Sequence, residues 1–108
     1  MFINTLDQAR FGLLFAREGI WDGEQLISKE WIDRAQTPSE ANPEYGYMWW
    51  LVNDDSGWTG VPNHLYYAAG FGGNFIIADQ ENDLVIVTRW LDSSKLGEFV
   101  EKVYEAMN

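Results

Sequence analysis

Cysteine is missing from all 108 residues, so no disulfide framework, thiolate metal site or cysteine nucleophile is available, and the redox compartment stays open. Long apolar runs are missing too. None approaches the roughly 18 residues of a membrane-spanning helix, and the N-terminus lacks the basic segment of a secretory signal. The chain as given reads as soluble, with no compartment assigned. Basic residues are scarce: 7 Lys and Arg stand against 17 Asp and Glu, a formal net charge of −10. Nucleic acid and anionic membrane are thereby excluded as partners, because both need a basic footprint. Histidine occurs once, at His64, so a Ser-His-Asp triad would have to recruit it with Ser56 and a loop acid. A lone histidine at a strand entrance is more often structural. No internal repeat or low-complexity tract breaks the chain, and residues 1–108 are expected to form a single domain.

Aromatic residues are abundant, at 16% with six Trp and five Tyr. They either fill a core or line a binding surface. The densest ordered pattern runs from Tyr66 to Trp90 and predicts a β-hairpin. Asn74 to Ala78 and Leu84 to Trp90 are rich in β-branched and aromatic residues, and Asp79 to Asp83 between them are polar turn formers. Both strands are apolar on consecutive positions, so both faces of the sheet call for cover. Just before the first strand, Gly70, Gly72 and Gly73 bracket Phe71. Such glycine density marks a bulge or a close approach to the backbone, for instance by a substrate.

From its start, the chain shows an apolar lead-in at Met1 to Asn4 and then Thr5-Leu6-Asp7-Gln8, a capping box with Thr5 as N-cap. The helix that follows carries Leu6, Ala9, Leu13, Leu14 and Arg17 on one stripe, widened by Phe11 and Phe15, and ends at Gly19. Trp21-Asp22-Gly23 is a turn. Ser28 caps a short helix to about Ala35, and Thr37-Pro38 stops it. Tyr45 to Val52 reads as a strand, and Asn53 to Asn63 as a long loop. A final helix, capped by Asp92 or Ser93, buries Leu96, Phe99, Val100, Val103 and Met107, with Glu98 and Lys102 paired outside. The expected fold is α+β: an antiparallel sheet of three or four strands with the N-terminal and C-terminal helices packed on one face. The opposite face would then be bare, to be covered by a second copy of the chain or by a partner.

Four blocks carry a further signal: Thr5 to Leu14, Gly19 to Trp31, Tyr45-Gly46-Tyr47-Met48-Trp49-Trp50, and Ala69-Gly70-Phe71 with Gly73-Asn74. In this order and spacing they resemble the C-terminal portion of β-lactamase-superfamily serine hydrolases, closest to the class C, penicillin-binding-protein-like, esterase and 6-aminohexanoate-dimer hydrolase branch. The resemblance covers nearly the whole chain. It implies amide, ester or β-lactam hydrolysis in a completed fold, on a small-molecule substrate and without cofactor or metal. The family's Ser-x-x-Lys nucleophile motif and Tyr-x-Asn motif have no counterpart here. Only its Lys-Thr-Gly-like strand does, as Ala68-Ala69-Gly70, without the lysine. The resemblance therefore implies Phe71 as a backbone N–H donor to an oxyanion, with Ala69, Gly70, Gly72 and Asn74 lining the substrate. It also implies a chain inactive alone, whose partner is the N-terminal half of the fold.

Two other readings start from the residues alone. Trp49, Trp50, Trp58 and Trp90 would suit a carbohydrate- or peptide-binding module, and an apolar sheet face would suit a self-associating domain. The acids Asp54-Asp55 and Asp79, Glu81 and Asp83 fit solvated turns better than paired catalytic carboxylates or calcium ligands.

Overall fold

The computed structural model describes residues 2–108, so Met1 of the apolar lead-in lies outside the described residues. Its elements in chain order are helix α1 (Thr5–Ala16), strands β1 (Ile20–Trp21) and β2 (Glu24–Gln25), helix α2 (Lys29–Ala35), strands β3 (Trp50–Leu51), β4 (Tyr66–Gly70), β5 (Asn74–Asp79) and β6 (Leu84–Thr88), and helix α3 (Leu96–Met107). Short 3-10 turns lie at Asp54–Ser56 and Ser93–Lys95. The architecture is α+β. Four antiparallel strands follow the order β3-β4-β5-β6, and β1 and β2 form a separate two-stranded ribbon. The central hairpin has the expected turn and a fixed register, with Ile77 opposite Ile86.

The consecutive apolar positions of β5 and β6 are explained by a helix layer on each face. Ile76, Ala78 and Val85 pack with Phe15 and Ala16 of α1, Ile32 and Ala35 of α2, Trp49 and Tyr66. Phe75, Ile77 and Ile86 pack with Leu96, Val100 and Tyr104 of α3. Successive strand residues point to opposite faces, so these clusters lie on the two sides of one sheet. The N- and C-terminal helices thus do not share a face as expected, and among the described residues each face of the sheet carries a helix. Amphipathicity identifies the buried stripe of a helix but not which side of a sheet receives it.

Helix α1 meets the sheet through Gly12, where a Cβ would stand 2.7 Å from both Ile76 Cγ2 and Val85 Cγ1. That close approach turns the helix away from its expected stripe: Gly12, Phe15 and Ala16 are buried, whereas Leu6 and Phe11 are exposed. Its N-cap is Asn4, not Thr5. The Asn4 side chain accepts the Asp7 N–H at 2.7 Å, and Thr5 Oγ1 instead lies 3.4 Å from Arg89 Nη1. Ser28 caps α2 as expected, accepting the Trp31 N–H. At the other end of the chain, Asp92 caps the 3-10 turn before α3, and Lys102 pairs with Glu105 where Glu98 was expected.

The expected strand from Tyr45 to Val52 is cut to Trp50–Leu51. Met48 sits at φ +67°, and the chain doubles back so that Tyr45 bridges to Trp50. The Gly46 N–H donates to Trp49 O and the Tyr47 N–H to Ala35 O, so this backbone is spent on a turn against α2 rather than on the sheet.

Candidate functional site

Strand β3 pairs with β4 only at Trp50↔Tyr67 and Leu51↔Tyr66. Among the described residues, no strand continues beside Ala68, Ala69 and Gly70, and Ala69 and Gly70 are exposed. One half of the β4 outer edge is therefore open. At its end the chain turns through Phe71, Gly72 and Gly73 into β5. The Phe71 side chain is fully exposed, at 101% of its reference area.

This turn is held from below. Gly72 and Gly73 adopt φ +85° and +74°, and a Cβ on Gly73 would collide with the Leu91 backbone. What approaches the glycines is the protein's own Trp90–Leu91 segment, whose Leu91 N–H donates to Gly73 O at 3.1 Å while Thr88 Oγ1 donates to the same oxygen at 3.2 Å. Asn74 Nδ2 donates to Phe71 O at 2.7 Å, and Arg89 Nε donates to Asn74 Oδ1 at 3.0 Å. Arg89 also donates to Ile3 O. A chain of hydrogen bonds thus runs from the residues before α1 through Arg89 and Asn74 to the Phe71 peptide. Of the expected site residues, Ala69, Gly70, Phe71, Gly72 and Asn74 come together in this corner by virtue of the β4–β5 connection. Arg89 and Thr88 were not anticipated, and their only sequence signal is polarity at the end of an apolar strand.

The four tryptophans do not gather into one platform. Trp49 is buried on the α1 side, its ring 4.7 Å from that of Phe15, and Trp90 lies against Gly72 with φ +59°. Only Trp50 and Trp58 share a surface. They line a groove of about 360 Å³ together with Tyr67, Ala69 and Gly70. Trp58 stacks on Tyr67, with ring centroids 5.2 Å apart and planes 25° apart. Burial, with a smaller contribution from Glu44, pushes the Tyr67 phenol above its ordinary pKa.

A second polar cluster sits at the opposite end of β5. Asp79 was expected in a solvated turn, yet it is 1% exposed. Its carboxylate accepts hydrogen bonds from Tyr104 Oη, from Asn82 Nδ2 at 2.7 Å, and from the Glu81 and Asn82 N–H groups; His64 Nε2 lies 2.8 Å away. Burial alone would raise its pKa, but the bonds from Tyr104, Asn82 and His64 outweigh burial and hold it below the usual value. His64 is thereby engaged with Asp79, and its Nδ1 faces Glu81 at 3.4 Å. Ser56 Oγ is engaged as well, in the capping box with Asn53. Among the described residues no Ser-His pair forms, and His64 has the structural role expected of a lone histidine.

No family model matches the chain, and no curated protein matches it. Solved structures do. A penicillin-binding protein homologue from Caulobacter crescentus superposes with a TM-score of 0.55 at 22% identity, over 72% of this chain and 23% of that one. A Bacillus anthracis protein named as a 6-aminohexanoate-dimer hydrolase superposes with a TM-score of 0.65 at 18% identity, over 95% of this chain and 28% of that one. The chain thus shares its fold with a part of each of these two structures. The chain spans about a quarter of the length of either structure.

Proposed function

We propose that the chain supplies the strand-and-turn wall of a β-lactamase-like serine hydrolase site, acting on an amide, ester or β-lactam bond, and that it is inactive without the rest of that fold. The observation that carries this reading is the open outer edge of β4 running into the braced Phe71 turn. An extended substrate beside Ala68–Gly70 would find unpaired backbone groups there, and the Phe71 N–H follows at the end of the strand, where an oxyanion donor is needed. Gly70, where an added Cβ would meet only Asn74 within 4 Å, leaves the approach to that N–H free of a side chain. The nucleophile must come from elsewhere, because no serine in the chain has a lysine three residues on.

The isolated chain is expected to hydrolyse p-nitrophenyl esters and a chromogenic β-lactam no faster than background. A product burst stoichiometric with protein and blocked by a serine-directed phosphonate would overturn that. With the completing polypeptide supplied in trans, hydrolysis is expected to appear. Phe71→Pro should then lower the rate by about 100- to 1,000-fold, the usual effect of losing one oxyanion donor, while Phe71→Ala should leave it near wild type. Association of the two parts, measured in each variant, separates loss of the donor from failure to assemble.

A further inference from the structure

The groove beside the open β4 edge has no assigned occupant. It is lined by the aromatic side chains of Trp50, Trp58, Tyr67 and Phe75 together with Ala69 and Gly70. Three of these aromatic side chains are fixed by neighbours. Trp58 is wedged between Tyr67 and the first turn of α3, where a Cβ on Gly97 would stand 3.0 Å from Trp58 Cδ1. Tyr67 in turn meets Phe75 nearly edge-on, with centroids 6.2 Å apart. Trp50 lies directly across the ladder from Tyr67 and is stacked edge-on by Tyr45 at 4.8 Å.

In a chain of net charge −10, the lining of this groove carries no charged side chain, and Ser93 supplies a hydroxyl. Flat, preformed aromatic walls favour a flat apolar guest. The absence of any cation offers nothing to a carboxylate, and the open edge of Ala69–Gly70 offers backbone hydrogen bonds to an amide or ester beside the slot. We propose that this groove is a substrate subsite for the aromatic or flat apolar group of a neutral amide or ester, rather than for an anionic one. The proposal rests on the hydrolase reading for its place in catalysis but not for binding, which the isolated chain should show by itself.

The test is a titration of the isolated chain with N-benzylacetamide, N-butylacetamide and N-benzoylglycine, followed by amide and indole chemical shifts. N-benzylacetamide should give saturable shifts at Ala69, Gly70 and the Trp58 indole, at an affinity at least threefold tighter than either the aliphatic amide or the carboxylate. Trp58→Leu should weaken it at least tenfold. Trp50→Leu, at the exposed margin and less prone to disturb the fold, should weaken it about threefold, and Trp31→Leu, which is not in the groove, should leave it unchanged. Equal affinity for the three probes, shifts elsewhere, no saturation, or a Trp50→Leu chain that binds as wild type overturns the subsite. Failure of the hydrolase reading looks different: the benzyl amide still binds in the groove, but the completed assembly cleaves no benzyl ester. An assembly that cleaves butyl and benzyl esters equally keeps the hydrolase reading and rejects the subsite.

Discussion

The two ends of β5 are built in opposite ways. At its Asp79 end a carboxylate is sealed inside the protein, with donors from β5's own turn, from α3 and from the loop that carries His64. At its Asn74 end the turn is exposed, its largest side chain packs on nothing, and its hydrogen bonds fix the peptide rather than bury it. Both ends are polar clusters on the same strand, yet the second sets an exposed turn beside an unpaired stretch of strand edge. A buried network whose members satisfy one another ties elements together, whereas a braced but uncovered turn fixes a peptide group while leaving it exposed.

The largest effect that would sharpen this contrast is expected from Asp79→Ala. It strips the partner from Tyr104, Asn82 and His64 at once and leaves a buried phenol unpaired, at a cost of about 3 to 5 kcal/mol. For a domain whose whole stability is on the order of 5 to 15 kcal/mol, urea denaturation should show a large share of it lost. Asn74→Ala at the other end removes exposed hydrogen bonds and should cost about 1 kcal/mol. Equal losses at the two ends would erase the distinction.

Next in size is Gly73→Ala. Its φ of +74° and the Leu91 backbone beneath it make both the conformation and the added methyl unfavourable, for a combined loss of about 2 to 3 kcal/mol. Gly57→Ala is the control. Gly57 has nearly the same φ, +73°, with nothing within 4 Å, so it should lose only the backbone penalty of about 1 kcal/mol. If the two substitutions cost the same, the Trp90–Leu91 segment does not brace the turn.

Acid should act mainly on the Asp79 end. A carboxyl whose folded pKa is depressed binds fewer protons folded than unfolded in the interval below the unfolded value of about 3.9. Its contribution is fully present above that value and is lost as pH falls through the folded pKa. Asp83, depressed by its bond and charge contact with Arg17, and Asp92, depressed by Ser94, are exposed, so their share is screened by salt. Urea midpoints between pH 7 and pH 2 should therefore fall more steeply for wild type than for Asp79→Asn, with the difference surviving in 0.5 M salt. Parallel curves would place the acid sensitivity on the surface instead.

The sequence made the exposed end more legible than the buried one. Gly70-Phe71-Gly72-Gly73-Asn74 has local chemistry, glycines ahead of a strand and two of them at positive φ, so a tight turn or close approach could be expected there from their own letters, whereas the roles of Ala69, Gly70, Phe71, Gly72 and Asn74 came only from the resemblance. Asp79 sits among Glu81 and Asp83 in a run that looks like any solvated turn. What distinguishes it is Tyr104, 25 residues away on a helix whose apolar spacing already looked complete without it. The side of the sheet that α3 takes was hidden for the same reason, since a strand apolar on both faces accepts a helix on either. Met48 shows the limit of propensity: eight residues that favour a strand fold back because the Gly46 N–H bonds Trp49 O and the Tyr47 N–H bonds Ala35 O of α2.

The smallest expected effect is also the sharpest statement about the exposed end. Phe71→Ala removes a large apolar side chain, which in a core would cost about 3 to 5 kcal/mol. Here the ring is fully exposed and the bonds that brace its peptide come from Asn74 and, through Asn74, from Arg89, none of which the substitution touches. Thermal and urea midpoints should then shift by no more than about 0.5 kcal/mol, the range of surface changes that break no specific contact. The Phe71 carbonyl should stay bonded, which hydrogen exchange of the Asn74 side-chain amide reports directly. A loss above about 1 kcal/mol, or faster exchange at Asn74, would mean that the ring packs on the turn and helps to hold it. A ring that is instead dispensable for the fold leaves the turn held by its hydrogen bonds alone.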